Sequence, residues 1–153
     1  MRSVTLKLIG VLVLITISAL SIASKPEIYS HKRKGAVKGV DVVAYFSLKP
    51  GDKAVKGSKE FTHNFKGATF RFATQENLDA FKAAPEKYVP QYGGYCAFAI
   101  SKNFTTSIRP DSWRIIDGKL YLNHNKSSQS TWDKNMSERI ASADANWPAV
   151  LSK

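Results

Sequence analysis

Two dipeptides, Lys66-Gly67 and Asp117-Gly118, constrain the fold of this chain more than any other feature. The first lies between Glu60–Phe65 and Ala68–Ala73, the second between Trp113–Ile116 and Lys119–Leu122. A two-residue connection ending in glycine turns such short aromatic and β-branched runs back as antiparallel hairpins. The mirror-image turns that match strand twist need positive φ at their central residues. Side chains alternate along a strand, so Phe61, His63 and Phe65 share one face, as do Phe70 and Phe72 on the partner. His63 is therefore expected half-buried among phenylalanines. Val40–Phe46, bounded by Gly39 and the turn Lys49-Pro50-Gly51-Asp52, reads as a further β-rich run.

Helical signals follow each hairpin. Thr74 suits a helix N-cap, Leu78 and Phe81 form an inward stripe, and Pro85 ends the segment. Pro85–Tyr88 restarts a short turn that Pro90 stops. A last helix is expected from about Ser127 to Ala145, with Trp132, Met136, Ile140 and Ala143 on one apolar face. Between them, Gly93 and Gly94 allow positive φ or close backbone approach, and Cys96–Ile100 is a small apolar element, helix or strand. With 153 residues, 43% of them hydrophobic, the chain is expected to fold as one α+β domain, small antiparallel hairpins packed with two main helices.

The beginning of the chain reads as an address. Arg2 and Lys7 precede Leu8–Leu20, which carries no charge and falls short of the ~20 apolar residues of a membrane span. Ser21 and Ala23 supply small residues for cleavage, so residues 1–23 are expected to be a signal peptide. Residues 24–38 then read as a flexible basic leader and 39–151 as the domain, in an exported chain, periplasmic or secreted. The formal charge is +11. In an exported protein that charge argues against nucleic acid as partner, and favours a solvated surface or peripheral contact with an anionic envelope surface.

Several motifs in order carry a family resemblance. Gly39-Val40-Asp41-Val42-Val43-Ala44-Tyr45-Phe46 is followed by Phe81 with Pro85-Glu86-Lys87-Tyr88 and by Tyr92-Gly93-Gly94-Tyr95-Cys96-Ala97. Asp117-Gly118-Lys119-Leu120-Tyr121-Leu122-Asn123 and Ala145-Asn146-Trp147-Pro148 complete the set. Together they resemble the exported, single-domain branch of the YHS domain family, over Val37 to Leu151. The resemblance implies metal binding, the property usually ascribed to shorter members. Their pattern places one Cys after an Asp-Pro-Val opening and two more in a Cys-Ser-x-x-Cys at a strand-to-helix junction. Here Ala44, Ala73 and Asn77 occupy those three positions, so the thiolate set itself is missing.

The remaining chemistry is concentrated in few residues. Cys96 is the only thiol, which excludes an internal disulfide and any all-thiolate zinc or iron–sulfur site. It is either a small buried hydrophobe or a soft metal ligand. As a ligand it needs imidazole support from His63 or His124, the third histidine, His31, lying in the basic leader. Thiolate and imidazole suit copper or a related soft metal ion by donor type. The main reading is an exported, non-enzymatic binding protein that handles such an ion through Cys96, His63 and His124, with no other cofactor. One alternative is a thiol enzyme with Cys96 as nucleophile and a histidine as base. The other is a small-molecule binding module whose aromatic pocket is lined by Tyr88, Tyr92, Tyr95 and Trp113.

Overall fold

A computed structural model describes residues 24–153, so the expected signal peptide lies outside the described residues. The fold is α+β, with three separate two-stranded antiparallel sheets: β1 (Ser30–His31) with β2 (Gly35–Ala36), β3 (Thr62–Phe65) with β4 (Ala68–Arg71), and β5 (Trp113–Ile116) with β6 (Lys119–Leu122). Among the described residues five α-helices accompany them: α1 (Gln75–Ala83), α2 (Pro85–Tyr88), α3 (Ala97–Ser101), α4 (Lys126–Lys134) and α5 (Met136–Asn146). Both expected hairpins form. Lys66 and Gly67 have φ of 49° and 76°, Asp117 and Gly118 of 51° and 72°, so positive φ at both central residues closes each turn.

Two apolar clusters share β6. Leu120 and Leu122 enter the first, with Phe70, Phe72 and Phe81, whose rings lie 4.8 and 5.0 Å from Phe81. Tyr121, on the opposite face of the same strand, joins the second with Trp132, Ile100 and Val150. Strand alternation thus divides one segment between two cores, and β6 is covered on both sides. Thr74 caps α1 by accepting the Asn77 N–H at 3.2 Å, as the sequence suggests.

Three sequence expectations are corrected. The last helix is two helices, broken at Asn135 (φ −136°, ψ 49°). Trp132 and Ala143 both remain fully buried in the second cluster, so the apolar period runs across a break that periodicity cannot register. Residues 24–38 are not a loose leader, because Ile28, Ala36 and Val37 are buried in the first cluster. Gly93 makes this docking possible: at φ +59°, a Cβ there would fall 1.7 Å from the Glu27 carbonyl oxygen. The Tyr29 N–H donates to the Gly93 carbonyl at 2.9 Å.

The third correction concerns Val40–Phe46, which is not a strand. Only Val40 bridges, to Lys56, and Ala44–Ser47 is a 3₁₀ helix. The cause is Asp41, a fully buried carboxylate. Its Oδ1 accepts the Val43 and Ala44 N–H groups at 2.9 and 3.0 Å, which curls the chain out of extended geometry. Its Oδ2 accepts the Ala73 N–H and the Asn77 Nδ2, each at 2.7 Å, tying the exit of β4 and the first turn of α1 to the same point. Removing the acceptor would strand several donors at roughly 1–3 kcal/mol each. Asp41→Ala should therefore lower unfolding stability by at least about 3 kcal/mol in urea titration, whereas a loss under about 1 kcal/mol would contradict this role.

Candidate metal-ligating site

Cys96 is separated from the Gln91–Gly94 3₁₀ turn, with its two positive-φ glycines, by Tyr95 alone, and stands at the N-cap of α3. Its side chain is 1% exposed. The hairpin exit brings Asn123 and His124 to it: the His124 main-chain N–H lies 3.2 Å from Cys96 Sγ, and Sγ lies 3.7 Å from Asn123 Oδ1. Asn123 is fully buried as well, and its Oδ1 also accepts the Phe98 N–H at 3.1 Å. That bond fixes the amide orientation. Asn123 Nδ2 then has no hydrogen-bond partner among the described residues, an uncompensated donor beside the thiol.

The imidazole of His124 is oriented by Ser107. Nδ1 lies 3.0 Å from the Ser107 carbonyl oxygen and 3.4 Å from its hydroxyl. Donation from Nδ1–H to the carbonyl leaves Nε2 as the nitrogen with a lone pair. His63 is placed elsewhere. It occupies the half-buried face of β3 opposite Phe70, its ring 6.1 Å from that of Phe81, as strand alternation predicts. His31 lies in β1, where its Nδ1 accepts the Arg33 N–H at 3.3 Å. The structure therefore brings Cys96 and the His124 backbone together. Among the described residues no group of three or more His, Cys, Asp or Glu side chains is arranged to hold a metal ion.

Burial pushes the Cys96 thiol pKa up, with opposing pull from the Ala99, His124 and Phe98 backbone N–H groups. A raised pKa keeps sulfur protonated near neutrality, which is the wrong setting for a nucleophile. The four aromatics that could have lined one pocket are also divided. Tyr92 and Tyr95 pack in the second cluster, while Trp113 is in the first, its ring 5.3 Å from Tyr45 and its indole N–H donated to the Asp52 carbonyl.

Residues 51–92 match the family model described as the YHS domain. Over that span the chain is similar to the YHS domain. The matched span runs from the Gly51 turn through β3, β4, α1 and α2, and includes His63 but neither Cys96 nor His124. Comparison with curated proteins gave no match, and neither did comparison with solved structures. The YHS domain is associated with metal binding, which links the chain to a metal-related role.

The residues at the family's thiolate positions do not fit a soft metal ion. Ala44, Ala73 and Asn77 do converge, but on the carboxylate of Asp41: two through main-chain N–H groups and Asn77 through its amide nitrogen. Alanine has no donor atom, and the Asn77 amide is engaged as a hydrogen-bond donor. Asp41 is the residue that reading the sequence missed. Its signal was an acid inside an apolar run, the position at which an unpaired carboxylate is least tolerable. Cys96, by contrast, offers a soft donor whose accessibility can be measured. Iodoacetamide at neutral pH should alkylate it at least about tenfold more slowly in the folded chain than in urea. Equal rates would contradict both its burial and its raised pKa.

Proposed function

We propose that this chain is an exported, periplasmic or secreted, non-enzymatic YHS-domain protein that binds a soft metal ion, monovalent copper, through Cys96 and His124. One observation carries the reading: His124 stands against Cys96 Sγ through its N–H at 3.2 Å while its Nδ1 is held at 3.0 Å by the Ser107 carbonyl. A carbonyl on one ring nitrogen is the outer-shell arrangement typical of imidazoles that ligate metal through the other. One sulfur and one imidazole suit an ion that prefers soft donors. His63 is left out of the set, since it faces Phe81 on β3.

When bound, the ion supplies a soft centre for sulfur, and nothing in the proposal assigns it catalysis. Cys96 must give up its thiol proton to bind, since thiolate rather than thiol is the ligand. Asn123 lines the same spot and accepts from Phe98, which holds the hairpin exit against α3. The metal association of the YHS domain supports the reading from the family side. The uncharged Leu8–Leu20 run after Arg2 and Lys7 supports export.

Competition titration with a copper(I) chelator tests the assignment. Cys96→Ser and His124→Ala should each weaken copper(I) binding at least tenfold, about 1.4 kcal/mol. Unchanged affinity in Cys96→Ser would overturn it.

A further inference from the structure

We propose that the cleft between the Val37–Gly39 turn and the 109–111 loop binds a phosphate-bearing anion, either a diphosphate or the phosphomonoester of a larger molecule, through Lys38, Arg71 and Arg109 with Lys34 and Lys56. The cleft has a volume of about 630 Å³, within the size range of small-molecule sites. Its other ionised residue is Asp111, and that carboxylate is already occupied, Oδ1 accepting the Ala54 N–H at 2.9 Å. Five cationic side chains thus face one carboxylate across a concavity.

None of these five cations has a carboxylate partner among the described residues, where the ion pairs are those of Lys66 with Glu27 and Glu86 and of Arg114 with Asp133. Lysines without a carboxylate partner also occur elsewhere, in turns and loops (Lys49, Lys53, Lys59) and on helices (Lys82, Lys134). In the cleft they are gathered. Burial lowers the Lys38 pKa, and repulsion from Lys34 and Arg109 lowers it further. A bound anion would relieve both of those repulsions.

The backbone also maintains this crowding. Val37 and Lys38 have φ of 51° and 59°, left-handed geometry that is sterically unfavourable for a β-branched residue. Burial of Val37 holds the turn in place and leaves Lys38 over the cleft. Arg71, at the end of β4, also lines the cleft and donates from Nη2 to the Arg33 carbonyl at 3.2 Å, which orients its guanidinium. A fixed planar fork matches the paired oxygens of an oxyanion better than a mobile ammonium does, and five gathered cations favour the higher charge of a phosphate over a halide or a single carboxylate.

The test uses the full exported chain at about 150 mM salt, where a Debye length of about 8 Å mutes diffuse surface charge. Inorganic pyrophosphate is titrated calorimetrically, and co-sedimentation is measured with phosphatidylcholine vesicles that contain phosphatidic acid. The variants are Lys38→Gln with Arg109→Gln, and, as an equal change of charge outside the cleft, Lys82→Gln with Lys134→Gln. Pyrophosphate binding that the cleft variant weakens at least tenfold and the control leaves within twofold supports the site with a soluble ligand. Vesicle binding with the same variant dependence, but no pyrophosphate binding, supports it with a lipid phosphomonoester. No binding of either probe, or equal loss in both variants, overturns the proposal. Lys38 is part-buried and Arg109 exposed, neither makes a side-chain hydrogen bond among the described residues, and thermal unfolding of each variant verifies that the fold is kept. Should the double variant unfold early, Arg109→Gln with Lys56→Gln gives the same reading.

Discussion

The buried carboxylate of Asp41 is the constraint on which the first half of the domain depends. Four N–H groups from three separate segments end on its two oxygens, so the 3₁₀ turn at Ala44, the exit of β4 at Ala73 and the first turn of α1 at Asn77 are fixed relative to one another. A buried carboxylate is tolerable only when it is fully satisfied, and here the satisfaction is supplied by parts of the chain that are remote in sequence. The resemblance places three cysteines at Ala44, Ala73 and Asn77. In this chain hydrogen bonds to one acid draw the same three points together and provide the cross-link.

The other half of the molecule hangs on β6. Alternation sends Leu120 and Leu122 into the cluster around Phe81, and Tyr121 into the cluster around Trp132. The strand then runs directly into Asn123 and His124, which meet Cys96. The sulfur and the imidazole residue are therefore neighbours for a structural reason, the seam between two cores. The open, cationic cleft has a different origin: a left-handed turn and the end of β4 bring lysines and arginines to one concavity.

Local signals in the sequence were readable because each rests on chemistry within a few residues. The glycine turns at 66–67 and 117–118, the Thr74 cap and the half-buried face of His63 are of this kind. Features that depend on distant partners were not. Asp41 lies in a run that β-rich composition alone reads as a strand, and its Ala73 and Asn77 partners are more than thirty residues away. Ile28, Ala36 and Val37 are a few apolar residues in an otherwise polar and basic stretch, so nothing periodic betrays that they are buried. The break at Asn135 is hidden because its flanking helices keep one apolar face. For the candidate site, the sequence singled out Cys96 and both histidines, but only the fold separates His124, at the thiol, from His63, on β3.

On the proposed reading, sulfur from Cys96 and nitrogen from His124 are what a copper ion meets in this protein. X-ray absorption at the copper edge, on the chain loaded with one equivalent of copper(I), measures those neighbours directly. One sulfur scatterer together with imidazole nitrogen is the expected first shell. A shell of nitrogen and oxygen alone, with no sulfur, would contradict it.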